Sequence, residues 1–461
     1  MYLFDFSQFQ LNWNQKHPSG DLRTISEARQ SNDDAGPNVH LDHAEDAIFD
    51  EGHDGGRSAA HYIHSLANGL RGKHGADFKV TTKYDGAPAI IFGVHPVTGK
   101  FFVGTKSVFA KTPKINYSLK DIERNHGDSP GLVTKLQAAF TNLRKLNLAH
   151  GEVYQGDMMY TPDDIKLENI DGKEHLTFTP NTLTYAVPHG GEDAKRIAAS
   201  KMGIIIHTGY RNFGQKGMTT EFSPDLSHIE QHPDIWMKDA QLSRDGDKQL
   251  SSGDHKRIVD HLRAAHKHLD DSKDFIGGVA GHGTLKPLMK MFVNDMVKRG
   301  IEKPTRQHVT DFITARHDAE AEKLKTQAGR DRVHARRTEL LSHLMQNGQH
   351  LDNLLAAHHN IAAAKHVLIG GLKKTKGIAT YARTQKQNAD TKEMMDHLEP
   401  VSPEGFVMID TGTGKALKAV NRSEFSRMNF ERGKMAQMKK EKQQDKENQE
   451  DQEDQEGDQN G

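Results

Sequence analysis

The chain has no cysteine in 461 residues. Disulfide staples and thiolate-ligated zinc are therefore excluded, and the composition is compatible with a reducing cytoplasm. Long apolar runs are also missing. Nothing approaches the roughly 20 residues that a membrane helix needs, and Met1 to Gly20 lacks the basic-then-apolar order of a secretion signal. A soluble, cytoplasmic protein with no membrane contact is the expectation. Net charge is nearly absent at −1, so a surface for a polyanion has to come from an uneven distribution of charge.

Such unevenness exists. Ser251 to Pro400 holds 25 Lys plus Arg against 18 Asp plus Glu, whereas Glu441 to Gly461 holds 9 acidic residues against 2 basic ones. The tail has no apolar residue, so it cannot offset the entropy of ordering, and disorder is expected there. The basic middle reads as helical. Leu285, Leu288, Met289, Phe292 and Met296 fall on one stripe with Pro287 in the first turn, and Leu341, Leu344, Leu351, Leu354 and Leu355 form a similar one. Leu41 to Leu70 reads as one or two helices interrupted by a glycine-rich turn at Gly52 to Gly56. Histidines are numerous, yet pairs such as His61 and His64 or His358 and His359 lack partners at metal-ligand spacing, which favours structural or surface roles.

Chemistry is concentrated in Lys83-Tyr84-Asp85-Gly86, a K-x-D-G quartet. Phe78, Val80 and Thr82 alternate into it, and Ala89 to Phe92 follow, so the local pattern is strand, tight turn, strand. A lysine nucleophile must lose its proton, through desolvation or neighbouring charge. Gly86 would supply the turn and a close approach for a ligand, and Asp85 would hold the lysine or a metal ion. Two later runs each place a glutamate beside a glycine, His150-Gly151-Glu152-Val153-Tyr154 and Pro403-Glu404-Gly405-Phe406-Val407-Met408, and a third ends in Lys415 to Val420. Gly99 to Ser107 approaches a P-loop, but Thr105 stands where its lysine belongs.

In this order, the elements resemble those of the covalent nucleotidyltransferases, the superfamily of ATP-dependent DNA ligases, RNA ligases and mRNA capping enzymes. The resemblance covers Phe78 to Tyr210 and Pro403 to Ser426. It implies Lys83 as the nucleophile on the α-phosphate of ATP, giving a lysyl-AMP. It implies Glu152 at the ribose or the lysine, Glu404 and Glu152 at a magnesium ion, and Lys418 or Lys415 on the α-phosphate. Lys106, within the strand-like run Phe101 to Phe109, becomes a further nucleotide contact. An adenine-stacking ring would come from Tyr185 or Phe178, since Leu176 to Val187 and Met202 to Tyr210 read as strands flanking a short helix at Glu192 to Lys201. Positioned cations and hard oxygen ligands suit phosphoryl transfer. Three departures stand out: Ala87-Pro88 replaces an arginine often found after the quartet, Thr81 replaces a glutamate before it, and the last lysines are spaced K-x-x-K.

The implied fold is α+β, a ligase-adenylation fold of packed antiparallel sheets with a large helical insertion. Its expected divisions are an N-terminal helical or irregular segment (1–72), a first core part (73–238), the insertion (239–395), a last core part (396–430) and the acidic tail (431–461). The insertion's basic face is the expected grip on the substrate. Only 43 residues follow Lys418, too few for an OB-fold beside a disordered tail. An RNA-ligase-like, bacteriophage-type enzyme follows, acting as a monomer in the host cytoplasm with ATP and Mg2+ on nucleic acid with 5′-phosphate and 3′-hydroxyl ends. A GTP-dependent capping guanylyltransferase and an inactive nucleic-acid-binding module are the alternatives.

Overall fold

The computed structural model describes residues 43–71, 78–242, 250–372, 378–387, 394–401, 403–412 and 416–422. Residues 1–42, Lys415 and the tail 431–461 lie outside them. Among the described residues the architecture is mixed α+β, with three β-sheets and a cluster of helices in the second half of the chain. No helix among the described residues is long and apolar enough to cross a membrane.

A three-stranded antiparallel sheet joins β1 (Phe78–Lys83) to β13 (Gly405–Asp410) and β14 (Ala416–Val420) in the order β1-β13-β14. Its side chains alternate between two surroundings, as a pleated strand requires. Val80, Phe406, Met408, Leu417 and Ala419 pack into a core with helices, whereas Val407, Ile409 and Lys418 face a cavity.

The second sheet runs β10-β8-β4-β2-β3, from β10 (Ile235–Asp239), β8 (Met202–Arg211), β4 (Val153–Tyr160) and β2 (Ala89–Val94) to β3 (Phe101–Gly104), with β9 (Thr219–Phe222) paired to β8. Ile90, Phe92, Met158 and Ile204 on one face pack against α2 (Leu119–His126) and α3 (Pro130–Leu143). β1 joins this sheet's edge just past β10, where Thr82 N donates to Ala240 O at 2.8 Å and Leu242 N to Val80 O at 2.8 Å. The segment around Lys83 is therefore a crossing from one sheet to the other and not the tight hairpin that its pattern suggests.

A third antiparallel sheet orders β12 (Met394–Val401), β11 (Ala379–Gln387), β7 (Leu183–Pro188), β6 (Lys173–Phe178) and β5 (Lys166–Ile170). The run from Leu176 to Val187 is thus two strands, reversed around Pro180-Asn181. The short helix before β8 is α4 (Glu192–Ala199).

Six helices follow: α5 (Ser252–Asp271), α6 (Lys273–Gly281), α7 (Leu285–Lys298), α8 (Arg306–Glu322), α9 (Gln327–Gln346) and α10 (Gly348–Leu372). The Leu285 stripe is buried along α7. The leucines from 341 to 355 belong to two helices, because the chain breaks at Asn347 between α9 and α10. The helical part is narrower than 239–395, since β10 ends at Asp239 and β11 pairs with β7. Ahead of all these, α1 (Ala47–Gly69) packs on α5 and α10. Its glycines do not form a loop: Gly52 kinks the helix at φ 64°, and a Cβ on Gly56 would sit 2.7 Å from Leu269 Cδ2. They serve close helix packing.

The helices stand behind the three-stranded sheet. Buried charges fix them there: Lys365 of α10 donates to both oxygens of Glu45 at 2.7 and 2.6 Å, and Arg422, just past β14, reaches Asp46 at 2.9 Å.

Candidate functional site

Lys83 is the last residue of β1, and its Nζ forms an ion pair with Glu404 Oε2. Strand register sets this up, because Lys83 lies opposite Gly405, the residue after Glu404. The glutamate side chain is 10% exposed and the lysine 29%, so the pair is largely withdrawn from solvent. Burial pushes the Glu404 carboxyl above the ordinary carboxylate range; Lys83 opposes the rise, and Asp85 and Asp157 add to it. A carboxylate raised in this way is a better proton acceptor for its lysine partner.

Lys83 opens on a cavity of about 330 Å3 between the first two sheets. One wall is a row across the three-stranded sheet, Thr81 opposite Val407 and Val407 opposite Lys418. The other is a row across the six-stranded sheet, Ala89 opposite Asp157 and Asp157 opposite Ile205. Gln155, His207 and Tyr210 continue that wall, Phe222 comes from β9, and Lys106 comes from the loop after β3. Among the described residues the lining holds three lysines, Lys83, Lys106 and Lys418, and one carboxylate, Asp157. Its charge suits a polyphosphate, and its size lies in the range of small-molecule sites.

Three of the residues singled out by sequence meet here: Lys83, Lys106 and Lys418. Lys106 is not in a strand, for β3 ends at Gly104 and a 3-10 turn spans Lys106–Phe109. Glu404 contributes through Lys83. Lys415 lies outside the described residues.

Glu152 is placed elsewhere. It precedes β4, accepts from Ala149 N at 2.7 Å and pairs with His228 Nε2 at 2.7 Å. The carboxylate that β4 delivers to the cavity is Asp157, five residues and about 16 Å of strand further on. Its sequence signal was present in Gly156-Asp157, an acid beside a glycine in a strand-like run like the two glutamates.

Asp85 is a clamp within the fold. Only 5% exposed, it accepts from Asn181 Nδ2 at 2.7 Å, Thr182 N at 2.7 Å and Leu183 N at 3.0 Å, which fixes the β6–β7 turn against the Lys83 segment. Gly86 adds no left-handed turn. A Cβ there would lie 2.5 Å from Asp157 Cβ, so the glycine lets the quartet pass close over β4.

Tyr185 is fully buried; its hydroxyl accepts from Asp85 N at 2.6 Å, and its ring stacks on Phe178 at 5.8 Å. Neither ring lines the cavity. Tyr84, Tyr210 and Phe222 do, signals the sequence hid because aromatics in strands are mostly core. Tyr210 donates to Gln155 Oε1 at 2.5 Å, and His207 Nε2 lies 3.8 Å from Asp157 Oδ1.

His358 holds Asp46 at 3.2 Å and His359 the Glu302 carbonyl at 2.9 Å. No group of three or more metal-ligating side chains occurs among the described residues.

Fold and site together define an α+β protein with a lysine-rich cavity between two sheets. The profile of a family of unknown function (DUF6267) matches residues 38–434, and the chain belongs to that family. No curated protein and no solved structure matches it.

Proposed function

We propose that this protein is a covalent nucleotidyltransferase with a ligase-adenylation fold, an ATP-dependent polynucleotide ligase that forms a lysyl-AMP on Lys83. The observation that carries this proposal is the Lys83–Glu404 ion pair at the edge of a cavity whose other cations are Lys106 and Lys418. A largely buried carboxylate holds the lysine, and the positive charge of the three lysines on one cavity supports a triphosphate as the ligand.

In the first step the Lys83 ammonium gives a proton to Glu404, and the free amine attacks the α-phosphorus of ATP. An N–P bond forms as the bridging Pα–O bond breaks, pyrophosphate leaves with the electron pair, and the nitrogen's second proton passes to solvent. Lys418 and Lys106 balance charge on the phosphates. A 5′-phosphate oxygen then attacks the AMP phosphorus as the Lys83 N–P bond breaks, the amine leaving with the proton that Glu404 returns; the 3′-hydroxyl loses its proton to solvent and attacks the 5′-phosphorus, and AMP leaves with the electron pair of the broken P–O bond. Asp157, together with substrate phosphates, would hold Mg2+, and the ion would supply Lewis-acid stabilisation of phosphoryl charge, while Glu404 is engaged with Lys83.

The test is incubation with magnesium and α-phosphate-labelled ATP or GTP, followed by denaturing electrophoresis, beside Lys83→Ala. Label from ATP that is lost in the variant supports the ligase. Label from GTP alone points to a capping guanylyltransferase, and no label with either points to an inactive binding module.

A further inference from the structure

From Gly86 to Lys120 the chain has five lysines and no aspartate or glutamate. In a protein with a net charge of −1, that is a marked local excess. The structure gathers Lys106, Lys111 and Lys114 on one closed loop, where Ser107 O accepts from Ala110 N at 3.2 Å and from Lys114 N at 3.1 Å. All three lysines are exposed. Lys114 Nζ donates to Asn125 O at 2.8 Å, which orients it without neutralising it.

This loop is tied to the cavity. Phe109 is buried, with its ring 5.4 Å from Tyr210 and 5.7 Å from Phe213, so it pins the loop to the β8–β9 hairpin. Tyr210 and Lys106 both line the cavity. The tip of the same hairpin carries Lys216, also exposed. The more basic-looking helices make a poorer surface. Arg336 is paired with Glu320 and Arg337 with Asp318 across α8 and α9, and no residue of α5 to α10 lines the cavity.

We infer that the loop from Thr105 to Lys114, with the neighbouring β8–β9 hairpin, is the docking surface for the phosphate backbone of a single nucleic-acid strand, and that it leads the strand's 5′ end to the cavity. The identity of that reacting end rests on the nucleotidyl-transfer proposal; the surface itself rests on the charge and the geometry of the loop. Phosphate contacts from lysine are point-charge contacts, and each should appear as a slope of about −0.7 in the salt dependence of single-strand binding.

The experiment is fluorescence anisotropy of a 5′-phosphorylated single strand of about 20 nucleotides with the full chain, across about 50–200 mM salt. Lys111→Glu/Lys114→Glu, Lys111→Gln/Lys114→Gln and Lys323→Glu/Lys325→Glu are compared with wild type, each checked for an unchanged melting temperature. Charge reversal on the loop should weaken binding at least about tenfold and shallow the salt slope by about 1.4, with the glutamine pair intermediate and the Lys323/Lys325 pair, in the exposed turn between α8 and α9, within about twofold of wild type. If the glutamate pair fails to fold, the glutamine pair decides. Unchanged binding in the loop variants, an equal loss in the Lys323/Lys325 variant, or wild-type capture of poly-glutamate but not the strand would overturn the docking surface. Nucleotide labelling of wild type is read in parallel. Label without loop-dependent strand binding removes the surface alone, and loop-dependent binding without label removes the transferase alone.

Discussion

Lys83 and Glu404 form an ion pair although 321 residues separate them in the chain. The pairing of β1 with β13 brings them together, and burial of the glutamate sets its chemistry. Glu404→Gln should cut nucleotide labelling by about 10²- to 10⁴-fold, the range for loss of a general base. It should also lower stability, by up to about 3 kcal/mol, because the Lys83 ammonium loses its partner in a site largely withdrawn from solvent. Labelling kinetics and urea unfolding on the same variant check both halves.

Asp157 lies within β4 and lines the cavity, whereas Glu152 precedes the strand and pairs with His228. Asp157→Asn should lower labelling by at least about tenfold and raise the magnesium concentration needed for it. Glu152→Gln should leave labelling within about twofold and cost no more than about 1 kcal/mol, as expected for a contact to His228, whose side chain is 50% exposed. The reverse ranking would restore Glu152 as the site carboxylate.

Asp85→Ala should remove the shared acceptor of the part-buried Thr182 N–H and the buried Leu183 N–H in the β6–β7 turn. A loss of about 3–5 kcal/mol is expected, seen as a lower urea midpoint. Tyr185→Phe removes only the acceptor for Asp85 N and should cost about 1–2 kcal/mol, with nucleotide affinity unchanged because the ring does not reach the cavity. A large rise in nucleotide KM for Tyr185→Phe would place the base against that ring.

Acid should unfold the junction between helices and sheet. Burial, with Arg422 and Lys365 assisting and Glu45 and Asp46 opposing, lowers His43 to about 3. The unfolded chain then binds the extra proton, so His43 contributes stability that is present above about pH 6.5 and is lost as pH falls towards 3. Between pH 7 and 5 that loss is about 2 kcal/mol. Glu45 moves the same way: burial pushes it up, but Lys365, His43 and Arg422 outweigh burial and hold it below the usual range, so its stabilisation is also lost on acidification. The melting temperature should fall from pH 7 to 5, and His43→Gln should make that fall smaller. A pH profile identical to wild type would exclude His43 as its source.

Sequence by itself determined the absence of disulfides, the strand-forming runs and the amphipathic stripe of α7, because periodicity and composition are local properties. It also marked Lys83 through the K-x-D-G quartet, Glu404 through its place beside Gly405, and Lys106 and Lys418 as basic residues in strand-like runs, patterns that are visible without coordinates. Only the tertiary structure decided which carboxylate of the β4 run faces the cavity. Glu152 and Asp157 look alike in sequence, and what separates them is their position along a strand relative to Ala89 across the sheet. The burial of Tyr185, the clamp formed by Asp85 and the helices' place behind the sheet were likewise hidden, for each depends on contacts between segments about a hundred or more residues apart, whose geometry no local pattern encodes.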